Sequence, residues 1–218
     1  MRSALLVPAA ALTLFSCGGK LPTVRAQLDS PDASVRITAA KALGEARDPA
    51  AVMKLAERLA DSVPDVRKEC AKALGKIRDA RAAEPLAAFY GREKIEDVAD
   101  AGARALIQLG PAAVKPFIGL LRSVRTSVRA GAARGLGKLG AREAVDPLIR
   151  LLDDQNEDVR IAAVFALRQI GDSRGIEAMA RKVQDKDEDV ESAAEKSLGG
   201  EGYQPELNRA KRIIRRVH

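Results

Sequence analysis

Residues 65–89 read DVRKECAKALGKIRDARAAEPLAAF, and residues 158–180 read DVRIAAVFALRQIGDSRGIEAMA. Both open on Asp-Val-Arg, and the phrase recurs through the chain. Its valine falls at Val35, Val66, Val98, Val128, Val159 and Val190, in steps of 31, 32, 30, 31 and 31 residues. Eight residues after each valine stands Leu43, Leu74, Leu106, Leu136, Leu167 or Leu198, and four after it a small residue: Ala39, Cys70, Gly102, Ala132, Ala163 or Ala194. Positions i, i+4 and i+8 share one helical face, so each copy starts with an amphipathic helix, A. The small residue is expected to let a neighbouring backbone approach. Ser34, Asp65, Asp97, Ser127, Asp158 and Asp189 precede the valines and suit an N-cap or first turn; Pro31 and Pro64 suit a first turn as well. Self-similarity at this period means a stacked array whose product is an extended surface.

A second helix, B, follows in stricter register. Its first apolar position is Val52, Ala83, Val114, Val145, Ile176. Its second is Leu55, Leu86, Phe117, Leu148, Met179, and its third Leu59, Tyr90, Leu121, Leu152, Val183. The spacing i, i+3, i+7 is that of an amphipathic helix. Turn signals separate A from B at Asp48-Pro49, Gly110-Pro111, Gly140 and Gly171-Asp172. The same register reaches back to Leu21, Val24 and Leu28 and forward to Leu207, Ala210 and Ile214. This predicts an all-α array of about thirteen antiparallel helices over residues 21–218, with no strand.

The two quoted stretches resemble HEAT repeats of the short, phycobilisome-lyase type. The resemblance implies a right-handed solenoid with A helices on the convex and B helices on the concave side. It says little about activity, since repeat folds host many roles. The third copy departs most, with Ala99 in place of the usual arginine and LGPAAVKPF (residues 109–117) in place of the Gly-Asp turn. Arg36, Arg67, Arg129 and Arg160 resemble the family's structural arginine, which ties adjacent repeats through turn acids; Asp48, Asp79 and Asp172 are the expected partners.

Residues 1–16 stand outside the array. Arg2 precedes an apolar run from Ala4 to Phe15, too short to span a bilayer and fitting an export signal. Ending in Leu14-Phe15-Ser16-Cys17, it resembles a bacterial lipoprotein signal, with Phe15 as the poor match. That implies lipidation of Cys17, a short linker over 17–20, and anchorage in the bacterial cell envelope. A cleaved soluble signal and an uncleaved anchor are the alternatives.

The formal charge is +7. Six of those seven charges sit on Arg2, Arg209, Lys211, Arg212, Arg215 and Arg216. The body is therefore nearly neutral, and the basic character belongs to a basic end face on the last helix. This argues against a nucleic-acid partner and leaves an anionic lipid or polysaccharide as an alternative partner for that end.

The chemistry of catalysis is poorly supplied. The one histidine is His218, so metal clusters and His-based nucleophile systems lack their main part. Hydroxylases of this shape use His-Glu pairs and none exists here; a lyase site finds no tryptophan and two tyrosines. Gly135-x-Gly137-x-x-Gly140 lies at the end of an A helix, not between strand and helix. Asp154-x-Asn156-x-Asp158 and Asp185-x-Asp187-x-Asp189 lack the glycine and final glutamate of a calcium loop and are read as caps of helix A. Cys70 is expected to be a buried small residue. No cofactor, no metal and no enzymatic activity are expected.

The expected function is a scaffold that binds another envelope protein. Two sets of B-helix positions are candidates. Phe89, Leu120 and Leu151 form the apolar middle of one column, flanked by Arg58 and Lys182. Arg150, Arg181 and Arg212 form an arginine ladder in another, two residues after the central apolar position, where Glu57, Ala88 and Gly119 precede them. The alternatives are packing between B helices for the first set, and pairing with acids such as Asp154 or Asp185 for the second.

Overall fold

A computed structural model describes residues 21–199 together with Pro205 and Asn208. The export signal, Cys17 and the linker to residue 20 lie outside the described residues. So do most of the thirteenth helix and its Leu207, Arg209, Lys211, Arg212, Arg215 and Arg216.

Twelve α-helices and no strand occur among the described residues. The A helices are α2 (Ala33–Glu45), α4 (Pro64–Ile77), α6 (Glu96–Gln108), α8 (Thr126–Lys138), α10 (Glu157–Ile170) and α12 (Glu188–Leu198). The B helices are α1 (Leu21–Gln27), α3 (Val52–Glu57), α5 (Ala83–Arg92), α7 (Val114–Leu120), α9 (Val145–Leu151) and α11 (Ser173–Ala180). Short 3-10 turns lead into α3, α5, α7 and α9, and others trail α3 and α11.

The registers read from the sequence are the core. All six leucines of the A phrase are fully buried, and so is every central B residue, from Leu55 through Phe117 to Met179. Val35, in the first repeat with only α1 on its outer side, is half-buried. Each buried leucine contributes about 1.5–3 kcal/mol, so the array is held by many equal steps.

Of the two places open to the residues before the valines, cap or first turn, the structure gives them the first turn. The caps are Asp32, Val63, Ile95, Arg125, Asn156 and Asp187, which places Asp65, Asp97 and Asp158 in the first turn. Asp32 accepts from Ser34 N and Asn156 from Val159 N. Pro64 opens α4, whereas Pro31 precedes the cap of α2 and is not in the helix. At the other end, one residue per A-to-B turn is left-handed: Arg47, Arg78, Gly110, Gly140 and Gly171. Two of the five are arginines, where L side chains are strained.

The closest backbone approach lies nine residues after the valine, not four. A Cβ on Gly44 would stand 2.8 Å from Ala73 Cα; on Gly75, 2.9 Å from Ala105 Cα; on Gly137, 2.7 Å from Ala166 Cα. These glycines let successive A helices touch through backbone. The third copy has Ile107 there, and α6 and α8 contact each other less closely than the other neighbours. Aromatic side chains of the B layer fill the difference. Tyr90 Oη occupies the space of a Cβ on Gly131, and the Phe117 ring lies 2.6 Å from where one on Gly135 would be. Gly102, at the small position, makes room for Phe89, whose ring would be 2.9 Å from a Cβ there.

Candidate protein-interaction surface

The two edges of the array are differently used. On the B-to-A edge runs a line of arginine clamps. Arg36 donates to the carbonyls of Ser30 and Pro31 and, at 2.9 Å, to Asp61. Arg67 does the same with Asp61 O, Ser62 O and Glu93, at 2.7 Å. Arg129 holds Asp154 through two bonds of 2.8 Å. Arg160, 2% exposed, reaches Asp154 O, Gln155 O, Asp185 and Asp187.

The expected partners Asp48, Asp79 and Asp172 are therefore corrected to Asp61, Glu93, Asp154 and Asp185. The reason is reach. The arginine sits in the first turn of helix A, and a helix of a dozen residues is about 18 Å long, so the A-to-B turn is too far. Asp48, Asp79 and Asp172 instead accept from Ala50 N, Arg81 N and Arg174 N at the start of helix B. The Arg81 side chain also holds the Asp79 carboxyl down to about 2.

Burial pushes the clamp carboxyls of Asp61, Asp154 and Asp185 upward, but hydrogen bonds from Arg36, Arg129 and Lys182 respectively, with backbone N–H groups, more than offset it. For Glu93 the Arg67 hydrogen bond is itself the largest influence, and it too ends below the usual range.

At Ala99 the clamp is replaced. The carbonyl six residues back, Glu93 O, accepts instead from Arg125, which reaches from the following loop and also bonds Gly91 O. The guanidinium comes from the opposite side. Arg125 was not singled out from the sequence, although a missing arginine at 99 and an extra one in the next loop are a readable signal.

The face of the B helices is the free one. Two residues after the central apolar position, Glu57, Ala88, Gly119, Arg150 and Arg181 are all exposed. A Cβ on Gly119 would meet nothing within 4 Å. Arg150 and Arg181 make no ion pair among the described residues, so pairing with Asp154 and Asp185 does not occur; those acids hold Arg129, Arg160 and Lys182. The apolar column is different. Phe89 is fully buried and Leu151 is 9% exposed, both packed into the core, and Leu120 is half-buried. The structure therefore corrects Phe89 and Leu151 from contact residues to packing residues: Gly102 draws the Phe89 ring inward.

Between the last two B-to-A loops lies a cleft of about 370 Å³ whose lining includes Arg160, Arg181, Lys182, Asp153, Asp185 and Lys186. Lys182 bridges Asp153 at 3.0 Å and Asp185 at 3.1 Å. Arg160 Nε is buried without a hydrogen-bond partner, as is Arg36 Nε in the first clamp. Cys70 is buried, and burial pushes its thiol up to about 12, so it is a packing residue and not a nucleophile. Among the described residues no helix is long and apolar enough to cross a membrane.

A family model described as HEAT repeats matches residues 21–107 and 114–199. The chain belongs to the HEAT-repeat family. The break between the two matched segments falls in the A-to-B turn of the third copy. No curated protein sequence matches this HEAT-repeat chain. Among solved structures it is similar to the CpcE–CpcF complex of phycocyanin lyase from Nostoc sp. PCC7120. That match is 25% identical, covers 93% of this chain and 83% of that one, and has a TM-score of 0.52. It is also similar to a designed armadillo repeat protein in complex with the peptide (KR)4, at 22% identity, 83% and 98% coverage and a TM-score of 0.51. An engineered protein, target OR366, matches at 22% identity, 82% and 97% coverage and a TM-score of 0.51. The HEAT-repeat architecture is a scaffold suited to protein binding.

Proposed function

We propose that this HEAT-repeat protein is an exported, lipid-anchored adaptor of the bacterial cell envelope, holding another envelope protein against the exposed face of its B helices. It is a binding protein and not an enzyme. The observation that carries the reading is the exposed column Glu57, Ala88, Gly119, Arg150 and Arg181, one residue per repeat. This column stays open along five B helices, and its two arginines enter no ion pair among the described residues. An extended open face of this kind suits an elongated occupant, as the designed armadillo neighbour has in its peptide. The anchor rests on the apolar run ending at Cys17. The test is crosslinking in intact cells followed by capture of the tagged protein, with a Cys17→Ala variant run beside it. One envelope protein enriched by the wild type, and release of Cys17→Ala from the membrane fraction, are expected. Capture of polysaccharide or lipid alone would move the function to the basic C-terminal helix; a Cys17→Ala variant still bound to membrane would replace the lipid anchor with an uncleaved one.

A further inference from the structure

The described part of the B-face column closes on two guanidinium groups, Arg150 and Arg181, with no partner among the described residues. Arg150 and Arg181 stand at the same position in successive repeats and are both exposed. The carboxylates around them are committed elsewhere. Asp146 holds Arg174 at 3.0 Å, Asp153 and Asp185 hold Lys182, and Asp154 holds Arg129. Glu177 lies one turn before Arg181 on the same face and is exposed, yet the two make no ion pair. Arg181 also lines the 370 Å³ cleft, next to Lys186. The chain thus neutralises its buried clamps and leaves these two cations facing solvent. A guanidinium presents a planar fork that matches a carboxylate through two parallel hydrogen bonds.

Spacing narrows the occupant. Adjacent packed helices lie about 8–10 Å apart, which sets the distance between the two arginine positions. In a β-extended chain, residues two and four apart point the same way but are separated by about 7 and 13 Å. In polyproline II, three residues make one turn at about 3.1 Å each, so residues i and i+3 point the same way about 9 Å apart. Only the last fits. N-terminal to the arginines the column continues as Gly119 and Ala88, a track with almost no side chain, over which a chain can lie close.

We infer that the B face of this protein takes an acidic segment in polyproline II conformation, with two carboxylate side chains three residues apart seated on Arg150 and Arg181. The inference rests on the adaptor reading and specifies the chemistry of its partner.

The test uses the full chain in detergent and three fluorescently labelled peptides of equal length and charge. Each is a Pro/Ala/Ser peptide with two glutamates, placed at i and i+2, i and i+3, or i and i+4. Fluorescence anisotropy at low salt should show the i, i+3 peptide binding at least about five-fold more tightly than the others. Arg150→Gln and Arg181→Gln should each weaken it about five-fold, within the range of single charge-assisted contacts, and the double variant should abolish the spacing preference. Equal binding of all three peptides overturns the inference, as does unchanged binding by the double variant. So does equal or tighter arginine-dependent binding of heparin or anionic vesicles, which would make the ridge a general polyanion surface. Capture from crosslinked cells separates this from the adaptor reading: an envelope protein retained by the double variant sinks the acidic-segment inference alone, whereas no protein captured by wild type sinks the adaptor.

Discussion

Where α4 meets α6, Gly75 allows backbone contact with Ala105 and Arg67 grips Glu93 in the next loop. Where α6 meets α8, Ile107 and Ala99 stand at those two positions, Tyr90 and Phe117 fill the gap against Gly131 and Gly135, and the guanidinium comes backward from Arg125. The same 31-residue phrase therefore builds two kinds of junction. Three tight ones, at Gly44, Gly75 and Gly137, bring helices together by removing side chains. The third-to-fourth junction keeps them apart with aromatic rings and answers with glycines on the receiving helix. A repeat phrase sets which face is buried; a few non-repeating residues set how closely the copies stack.

The largest effect is expected at the aromatic wedge. Tyr90 is 6% exposed, so Tyr90→Ala should cost about 3–5 kcal/mol, read as a lower urea midpoint with hydrogen exchange rising first in α6 and α8. Tyr90→Phe should cost far less, because the hydroxyl's bond to Ser127 O is long at 3.4 Å. If the two variants behave alike, the ring is not what holds that junction.

Gly137→Val should cost about 1–3 kcal/mol by overpacking against the Ala166 backbone. Ile107→Val, at the equivalent position, should cost about 0.5–1.5 kcal/mol by loss of one methylene. Equal costs from equal mechanisms at the two positions would erase the distinction drawn between the junctions.

Acid should separate them as well. The carboxyls of Asp61, Glu93, Asp154 and Asp185 sit below their ordinary range. A carboxyl with a lowered folded pKa adds stability above the ordinary range, about 4, and loses it as the pH falls through the lower folded value. As the pH falls below about 4, amides following the clamp loops at 61, 93, 154 and 185 should lose exchange protection. The loop at 123–125 has Ser123 and Val124 where the others have an acid and should keep its own. Uniform loss along the array would contradict this.

Smaller effects test the turns. Arg78 is left-handed with φ 59° at the C-terminus of α4, where Gly110, Gly140 and Gly171 stand in later copies. Arg78→Gly should stabilise by about 0.5–1 kcal/mol, seen as a raised Tm. Val124 is 96% exposed, and Val124→Ser should change stability by less than about 0.5 kcal/mol.

The layers were legible in the sequence because burial obeys a helical period and the period repeats. Leu43 through Leu198 and Leu55 through Met179 could be assigned by spacing alone. The clamps were half legible. The arginines stand out, but acids occur at both turns of most repeats, and spacing by 31 does not say which turn an arginine faces. Helix length does say, since a first-turn residue cannot reach the far turn. For Phe89 the sequence leaves contact and packing both open, because its column also holds Arg58 and Lys182. What decides it is Gly102 on another helix, a contact between copies that no single-helix pattern records.

Arg125 has a further consequence for how the chain comes apart. Each of the four clamps points toward the C-terminus, so cutting the chain after its own repeat strips a partly buried guanidinium of its carboxylate. At the boundary after residue 122 the dependence runs the other way, and the piece up to that point loses a donor to two backbone carbonyls and strands no arginine of its own. Among the boundaries between described repeats, this is the one where a division orphans no clamp arginine on the N-terminal side. That place lies in the loop after α7, one helix beyond the gap at residues 108–113 between the two segments matched by the family model.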